Sequence, residues 1–463
     1  MAFVWFLIFS LPLAIAVAPL LAELQENKLE VNQSGIYVKI YHVQGPESSL
    51  TPEFSLSFSN FLLRDEERVE ALNSIVAQDR GRGRGRGSTN SALSQRLGYW
   101  SSAKSLSIPL NPGLSIGTGN YYFRIGLGTP VKYYDVLMDT GSSFSWIQCE
   151  PCKVYCHGQA DPVFNPSASK TYKSLSCAAS ECSSLKEATL NNPLCTTSNK
   201  CIYTASYGDS SYSIGYLSQD LLTLSRSQTF SNFLYGCGQD NEGLFGRAAG
   251  LVGLARDKLS MLAQVSSKYG YAFSYCLPTA NSTAAGGFLK IGKPSLSSFK
   301  FTPMITDPHQ NPSLYYLRLT SITVAGIPLR VAAAEYRVPT VIDSGTVITR
   351  LPMSLYSALR DAFVKIMSKK YAQAPGFSIL DCCFLGTVKT ISAAPEIQMM
   401  FQGGADLTLG ASNVLIQAEE GVTCLAFAGW SQTAVIGNHQ QQTFEVAYDV
   451  SDSRIGFAAN ACH

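Results

Sequence analysis

The sequence has little charge and little imbalance of charge. Of its 463 residues only 15% are charged, and the formal net charge is +2. This balance gives no bulk electrostatic reason to expect a nucleic acid as partner. After the leader no stretch is long and apolar enough to span a bilayer, and no Gly-Lys-Ser/Thr sequence is present to hold a nucleotide phosphate. Nucleic-acid, multispanning-membrane and P-loop proteins are therefore not expected.

What the sequence does contain is length, glycine and aromatic residues. At 463 residues the chain is too long for one ordinary domain and fits two lobes behind a leader. Its 37 glycines, 23 tyrosines and 23 phenylalanines, with abundant Ser and Thr, favour β-structure. We therefore predict a β-rich, soluble protein.

The first 22 residues predict a secretory signal peptide. They are almost wholly apolar and end in small residues, as in Ala16-Val17-Ala18. No Lys or Arg precedes the apolar core, so an uncleaved anchor is the alternative. Passage through an oxidising compartment would make the thirteen cysteines a disulfide framework. The sequons at Asn32 and Asn281 agree with a secreted glycoprotein.

Residues 23–105 contain no cysteine and precede the cysteine-rich part of the chain. A patch from Asp65 to Leu72 has helical character, and an Arg-Gly repeat follows from Arg80 to Gly87. We interpret this region as a removable prosegment with a flexible basic linker. An RNA-contacting tail is the alternative for the repeat.

Two short acid turns carry the chemistry. Each follows an apolar run and places one carboxylate before a small hydroxyl residue and a glycine, which permits close backbone approach. The two aspartates are 204 residues apart, since 343 − 139 = 204. In each half an apolar-apolar-Gly sequence follows later, so the parts recur as an internal duplication. The turns are Asp139-Thr140-Gly141-Ser142 and Asp343-Ser344-Gly345-Thr346.

Two carboxylates brought together at one site cannot both be ionised cheaply, so they share a proton under mildly acidic conditions. One member then acts as base on a bound water and the other donates a proton to a carbonyl. Thr140 and Ser344 can hydrogen-bond across a junction between lobes. The hydroxyls of Ser142 and Thr346 are expected to orient the carboxylates, and Gly141 and Gly345 to let backbone amides approach them.

Seven cysteines between Cys149 and Cys201 lie in a Ser/Asn-rich stretch. Such density predicts a loop insertion held by disulfides, because the loop cannot bury much core of its own. Half of a zinc site at Cys149 and Cys152 is the alternative. No second Cys or His pair at zinc-ribbon spacing supports it.

Five motifs together resemble those of the pepsin-like aspartic proteases. They are Asp139-Thr140-Gly141-Ser142-Ser143-Phe144-Ser145-Trp146, Tyr207-Gly208-Asp209, Leu251-Val252-Gly253, Asp343-Ser344-Gly345-Thr346 and Val435-Ile436-Gly437. The cysteine-rich insertion is similar to that of the nepenthesin-type branch of plants. So are Tyr235-Gly236-Cys237-Gly238, Phe273-Ser274-Tyr275-Cys276, Cys424-Leu425-Ala426 and Ile436-Gly437-Asn438.

The resemblance implies an all-β, bilobal acid-protease fold with a few short helices and a cleft between the lobes, assigned to residues 106–295 and 296–463. It implies that Asp139 and Asp343 hydrolyse peptide bonds without a metal or other cofactor. Tyr207 would be the tyrosine of a hairpin flap with Gly208 and Asp209, and Trp146 its hydrogen-bond partner. The flap has Ser210 where the family commonly has Gly.

The branch also implies six disulfides and leaves Cys382 unpaired, or Cys383 if Cys382 takes its place. The implied pairs are Cys149-Cys152, Cys156-Cys237, Cys177-Cys201, Cys182-Cys195, Cys276-Cys462 and Cys383-Cys424.

The leading hypothesis is a monomeric, secreted aspartic endopeptidase made as a zymogen, with peptides or proteins as substrates. Its destination is the cell wall space or the vacuole, with no membrane attachment after signal removal and no nucleic acid. One alternative is a catalytically inactive binding or inhibitor homologue. Another is a DNA-binding protease of the chloroplast nucleoid type, against which the near-neutral charge and the leader argue.

Overall fold

The computed structural model describes residues 31–32, 35–36, 58–78, 106–112, 120–208, 210–243, 245–279, 287–295, 298–306, 310–431, 433–459 and 462. The predicted signal peptide, the Arg-Gly linker, Asn281 and flap residue Asp209 lie outside these ranges. None of the helices in the described ranges is long and apolar enough to cross a bilayer.

Short strands dominate both halves of the chain, as predicted for a β-rich protein. Those of the first half are β1 (Val31–Asn32), β2 (Gly35–Ile36), β3 (Leu106–Pro112), β4 (Tyr121–Leu127), β5 (Lys132–Asp139), β6 (Trp146–Gln148), β7 (Tyr155–Cys156), β8 (Lys173–Ser174), β9 (Leu194–Cys195), β10 (Cys201–Ser206), β11 (Tyr212–Ser225), β12 (Gln228–Glu242), β13 (Gly250–Gly253), β14 (Ala272–Cys276), β15 (Gly287–Ile291) and β16 (Lys300–Pro303).

The described residues of the second half add fifteen strands. They are β17 (Tyr316–Leu317), β18 (Leu319–Val324), β19 (Ile327–Pro328), β20 (Thr340–Ile342), β21 (Thr349–Pro352), β22 (Gln373–Ala374), β23 (Cys383–Leu385), β24 (Ile397–Phe401), β25 (Asp406–Leu409), β26 (Leu415–Glu419), β27 (Val422–Leu425), β28 (Phe427–Trp430), β29 (Ala434–Ile436), β30 (Glu445–Asp449) and β31 (Arg454–Ala458). The α-helices are α1 (Phe58–Gln78), α2 (Ser180–Thr189), α3 (Met261–Tyr269), α4 (Met353–Met367), α5 (Ala411–Val414) and α6 (Asn438–Gln441).

One sheet joins the two halves of the chain. The antiparallel order β3, β15, β14, β30, β31 and β16 places strands near the carboxyl terminus beside strands of the first half. The core beneath it is aromatic, with Phe273 stacked on Tyr448 at 4.5 Å between ring centroids. The boundary predicted at residue 295 falls between β15 and β16 and stays a prediction.

Helix α1 lies against the second half of the chain and confirms the helical character predicted for residues 65–72. Its buried positions Leu62, Asp65, Val69 and Leu72 follow helical spacing and form one face. Leu62 packs with Val347 and Ile348, while Val69 and Leu72 pack with a separate apolar cluster around Val341 and Val435. The helix therefore packs over β20 and β29, the two strands that hold the second acid turn.

The spacing of apolar residues in the sequence predicts two further amphipathic helices, one opening at Asp257 and one from about Ser354. Both are present, with one boundary corrected. The second was predicted from about Ser354 and is α4, which buries Leu355, Leu359 and Phe363. The first was predicted to open at Asp257, but α3 begins at Met261. Ser260 caps it by accepting from the amide of Ala263, because its hydroxyl can satisfy a free amide of the first turn.

The disulfide pattern confirms two of the implied pairs, Cys276-Cys462 and Cys383-Cys424, and corrects four. Strand pairing explains the first correction: β6 lies parallel to β12, so Cys149 meets Cys237. Cys182 on α2 packs onto β10 and bonds its first residue, Cys201. In place of Cys149-Cys152, Cys156-Cys237, Cys177-Cys201 and Cys182-Cys195, the structure has Cys149-Cys237, Cys152-Cys156, Cys177-Cys195 and Cys182-Cys201.

The unpaired thiol is Cys382, which is buried. Burial, with a smaller contribution from Asp381, raises the pKa of this thiol to about 12. It is therefore a neutral packing residue at physiological pH.

Candidate active site

The two acid turns are built in the same way. In the first, β13 runs parallel to β5 and sets Gly253 opposite Asp139. In the second, β29 runs parallel to β20, and the amide of Asp343 donates to the carbonyl of Ile436 at 3.1 Å. The apolar-apolar-Gly sequences that recur along the chain are thus the strands that hold the two acids. The aspartate side chains are almost inaccessible, with Asp139 2% and Asp343 0% exposed.

Reciprocal hydrogen bonds lock the two turns together. The amide of Thr140 donates to Ser344 Oγ at 3.2 Å, and the amide of Ser344 donates to Thr140 Oγ1 at 2.8 Å. This confirms the bonding predicted for the small hydroxyl residue after each aspartate. It also fixes the position of one carboxylate relative to the other.

Backbone amides and one hydroxyl orient the carboxylates. The amide of Gly141 donates to Asp139 Oδ1 at 2.9 Å, and the amide of Gly345 donates to Asp343 Oδ1 at 3.1 Å. Thr346 Oγ1 donates to Asp343 Oδ2 at 2.7 Å, as predicted. Ser142 does not do the same for Asp139, because within the described ranges its buried hydroxyl has no hydrogen-bond partner.

Glycine is required at both turns for space. A Cβ on Gly141 would lie 2.8 Å from Asp343 Oδ1, and one on Gly345 would lie 2.6 Å from Asp139 Oδ1. Each glycine thus faces the carboxylate of the opposite turn. Any side chain there would push the two acids apart.

The hairpin between β10 and β11 reaches over the acids. Trp146 Nε1 donates to the hydroxyl of Tyr207 at 2.7 Å, as the family resemblance implies. Burial, and to a smaller extent the charge of Asp139, hold the pKa of this hydroxyl well above its ordinary range, so it stays protonated.

Ser210, at the tip of the hairpin, has a φ of 62°. This left-handed backbone explains why Gly is favoured at that position.

Arg68 of α1 inserts between the two acids. Its Nη2 lies 2.6 Å from Asp139 Oδ1 and 3.0 Å from Asp343 Oδ2, and its Nε donates to Asp343 Oδ2 at 3.1 Å. The side chain is 14% exposed. Burial alone would lower its pKa, but the two carboxylates outweigh burial and raise the pKa above its ordinary value. Arg68 therefore remains a cation between the two carboxylates.

Asp65 makes a second polar contact one helical turn earlier. Its Oδ1 accepts from the amide of Val347 at 2.6 Å, and its Oδ2 accepts from the amide of Ile348 at 3.1 Å. Arg350 Nη2 lies 3.0 Å from the same Oδ2. Burial raises the pKa of Asp65, although Arg350 and the amides oppose the shift. Helix α1 thus covers the acid site and an adjacent cationic site.

The sequence prediction missed Asp65, Arg68 and Arg350 as site residues. A signal for two of them was available, because Asp65 and Arg68 fall on the same helical face as Leu62 and Val69. Charged residues on the apolar face of an amphipathic helix indicate buried partners of opposite charge. The sequence offers no comparable signal for Arg350.

A buried histidine beside the second turn makes stability depend on pH. The amide of His439 donates to the carbonyl of Val347, and its Nε2 lies 3.1 Å from the carbonyl of Leu415. Burial lowers its pKa from 6.5 to about 4. Between these values the unfolded chain binds a proton that the native chain does not, so stability falls as pH drops.

We expect His439→Gln to flatten this dependence, since glutamine can still donate to Leu415 but carries no titratable group. The wild-type free energy of unfolding should fall between pH 7 and pH 4.5 by about 2.5 kcal/mol more than that of the variant. Urea titrations at both pH values measure the difference. Equal losses in the two proteins would contradict the assignment.

Comparison with known proteins agrees with this architecture. Two family models match, described as Xylanase inhibitor N-terminal over residues 121–293 and Xylanase inhibitor C-terminal over residues 314–459. An Aspartyl protease family protein of Arabidopsis thaliana is 44% identical over 81% of this chain and 80% of its own length. Aspartic proteinase nepenthesin-2 of Nepenthes gracilis is 34% identical over 75% of this chain and 78% of its own.

Among solved structures, basic 7S globulin from soybean aligns with a TM-score of 0.61 at 21% identity. It covers 77% of this chain and 96% of its own. This likeness shows the shared two-lobed, β-rich fold. The family models and the named relatives show that the chain belongs to the nepenthesin-type branch of the pepsin-like aspartic proteases.

Proposed function

We propose that the protein is a secreted aspartic endopeptidase, made as a zymogen, in which Asp139 and Asp343 activate a water that attacks a peptide carbonyl. One observation carries the proposal: Arg68 Nη2 lies 2.6 Å from Asp139 Oδ1 and 3.0 Å from Asp343 Oδ2. The two oxygens are thus separated by at most the sum of these distances, about 5.6 Å. A water hydrogen-bonded to both carboxylates spans about 5.5 Å, so it fits the place that Arg68 Nη2 occupies.

The reaction follows from a carboxylate pair that holds one proton. The ionised member takes a proton from the bound water while the oxygen of the water bonds to the carbonyl carbon, and the other member gives its proton to the carbonyl oxygen. When the tetrahedral intermediate collapses, the C–N bond breaks and the protonated member gives its proton to the leaving nitrogen. The ionised member takes a proton from a hydroxyl of the intermediate, so the pair again holds one proton.

The flap excludes water during this chemistry. Tyr207, held by Trp146, and Gly208 stand over the acids, and the space beside them is lined by Arg68, Leu72, Ser142 and Leu314. A peptide bound there would be enclosed between the flap and the acid turns.

We further propose that residues 23–105 form the prosegment and that cleavage between Arg80 and Ser107 frees the active enzyme. In the zymogen α1 fills the cleft, and Arg68 holds the site of the attacking water. Acidification weakens charge pairs of this kind, so acid conditions favour release of the helix. The signal peptide directs the protein to the cell wall space or the vacuole.

A digest of a mixed peptide library by the processed protein near pH 4 tests the proposal. We expect internal peptide bonds to be cleaved and a statine-type inhibitor to stop the cleavage, because statine places a hydroxyl between the two carboxylates. No cleavage would refute the proposed function and favour the inactive binding or inhibitor homologue. The presence of both aspartates and the flap tyrosine argues against that alternative.

A further inference from the structure

We propose that Arg350 and the amides of Val347 and Ile348 form a carboxylate-binding subsite beside the dyad. Asp65 of the prosegment fills it in the zymogen, and an acidic group of the peptide substrate fills it in the mature enzyme. This inference rests on the proposed function and names the class of substrate that it favours.

The donors form a complete site for a carboxylate. Val347 supplies an amide at 2.6 Å to one oxygen of Asp65, and Ile348 supplies an amide at 3.1 Å to the other. Arg350 Nη2 approaches the second oxygen at 3.0 Å. Two adjacent amides and one guanidinium thus converge on a single buried anion, an arrangement suited to a carboxylate rather than to a neutral amide.

Arg350 is held in place for this role. Its Nη1 donates to the carbonyl of Ile348 at 3.1 Å, and the residue is only 1% exposed. The carboxylates that act on it are Asp65 and Glu66, and Tyr356 is a further electrostatic neighbour. Both acids belong to α1. When the prosegment leaves, Arg350 loses the two carboxylates that compensate its charge.

An uncompensated buried cation favours a substrate that restores the missing anion. A neutral side chain in the same place would leave the guanidinium and two amides without their acceptor. Charge-assisted hydrogen bonds of this kind give a preference of about 10- to 100-fold in kcat/KM for an acidic residue over its amide.

The subsite lies close to the reacting bond. Val347 directly follows Thr346, whose hydroxyl holds Asp343. Asp65 and Arg68 are one helical turn apart, a rise of about 4.5 Å along α1. An extended peptide advances about 3.3 Å per residue, so the acidic group should lie one to three residues from the scissile bond.

Matched fluorogenic peptides test the inference with the processed enzyme. Each pair carries Glu or Gln at one of the three positions on either side of the cleaved bond, and all have amidated ends. At pH 5.5 we expect one position to favour Glu by at least about 10-fold in kcat/KM, with the preference fading below pH 4.3, the ordinary pKa of Glu. A further pair with free or amidated carboxyl ends distinguishes a terminal carboxylate from a side chain.

Variants identify the cation responsible. In Arg350→Gln the Glu/Gln ratio should fall towards one, and in Arg350→Lys it should be partly retained. Arg124→Gln is the control: this half-exposed arginine, on β4, pairs with Asp135 and Asp161 in the first half of the chain and should leave the ratio unchanged. If Arg350→Gln does not fold, the wild-type enzyme alone tests the inference. The test is then whether Glu is preferred over Gln at one position and whether this preference is lost below pH 4.3.

The outcomes separate the inference from the function on which it rests. If the wild-type enzyme cleaves no peptide, the proposed function fails. If it cleaves acidic and neutral peptides equally at every position and with either carboxyl end, only the subsite is refuted. A preference that persists in Arg350→Gln would also overturn the assignment.

Discussion

Asp343→Asn should reduce peptide hydrolysis by the processed enzyme by about 1,000-fold or more, and Asp139→Asn should do the same. Asparagine keeps the shape of the carboxylate, but it cannot share a proton with the opposite aspartate or accept one from water. The measurement is kcat/KM on a fluorogenic peptide near pH 4. Because each variant breaks the same proton-sharing unit, the double variant should be little worse than either single one.

The dyad prediction needs a check on folding, because Asp343 accepts from the amide of Gly345 and from Thr346 Oγ1. An asparagine oxygen can keep one of these bonds, so we expect near-native circular dichroism and a modest loss of thermal stability. Asp361→Asn is the matched control, since Asp361 is exposed on α4 and pairs with Arg360. Near wild-type hydrolysis by either dyad variant would refute the mechanism.

The acid turns were predictable because their signals are local. An apolar run that ends in Asp and is followed by a small hydroxyl residue and Gly describes a buried strand and a tight turn. In β5 the last six residues, which end at Asp139, are indeed all buried. Recurrence of the same parts around Asp343 then predicted two similar halves, and the structure confirms that each acid turn lies beside a parallel apolar-apolar-Gly strand.

The disulfide pattern was not predictable in the same way, since it depends on which strands become neighbours. Cys149 and Cys152 are close in sequence, but the pairing of β6 with β12 brings Cys149 to Cys237 instead. Cys152 then pairs locally with Cys156. Sequence spacing alone does not distinguish these arrangements.

Protonation of Asp65, the most buried acid of α1, would not release the helix. Burial raises the pKa of this carboxyl in the docked helix, so the docked state binds its proton more tightly than the free state. As pH falls through the raised pKa, Asp65 therefore favours docking. Arg68 keeps its charge, because the two carboxylates that it contacts raise its pKa, and it remains the group of α1 that pairs with the dyad.

Arg68→Met in the unprocessed protein should therefore produce activity where the wild-type zymogen has almost none. Removing one partner of a buried ion pair costs about 3–5 kcal/mol, here from the docking of α1, which corresponds to roughly 100- to 4,000-fold more open enzyme. Initial rates of peptide cleavage at pH 5.5, taken while intact mass shows that residues 23–105 are still attached, measure the effect.

Two further substitutions at the same helix make the Arg68 result specific. Arg68→Lys retains a cation near Asp139 and Asp343 but not the geometry that lets one guanidinium contact both, so its activity should be intermediate. Glu67→Gln alters an exposed neighbour on α1 and should leave the zymogen silent. If Arg68→Met stays as inactive as wild type while the processed form of the same variant cleaves peptide, the apolar face of α1 and the contact between Asp65 and Arg350 suffice to block the cleft. The charge of Arg68 would then not be what holds the enzyme inactive.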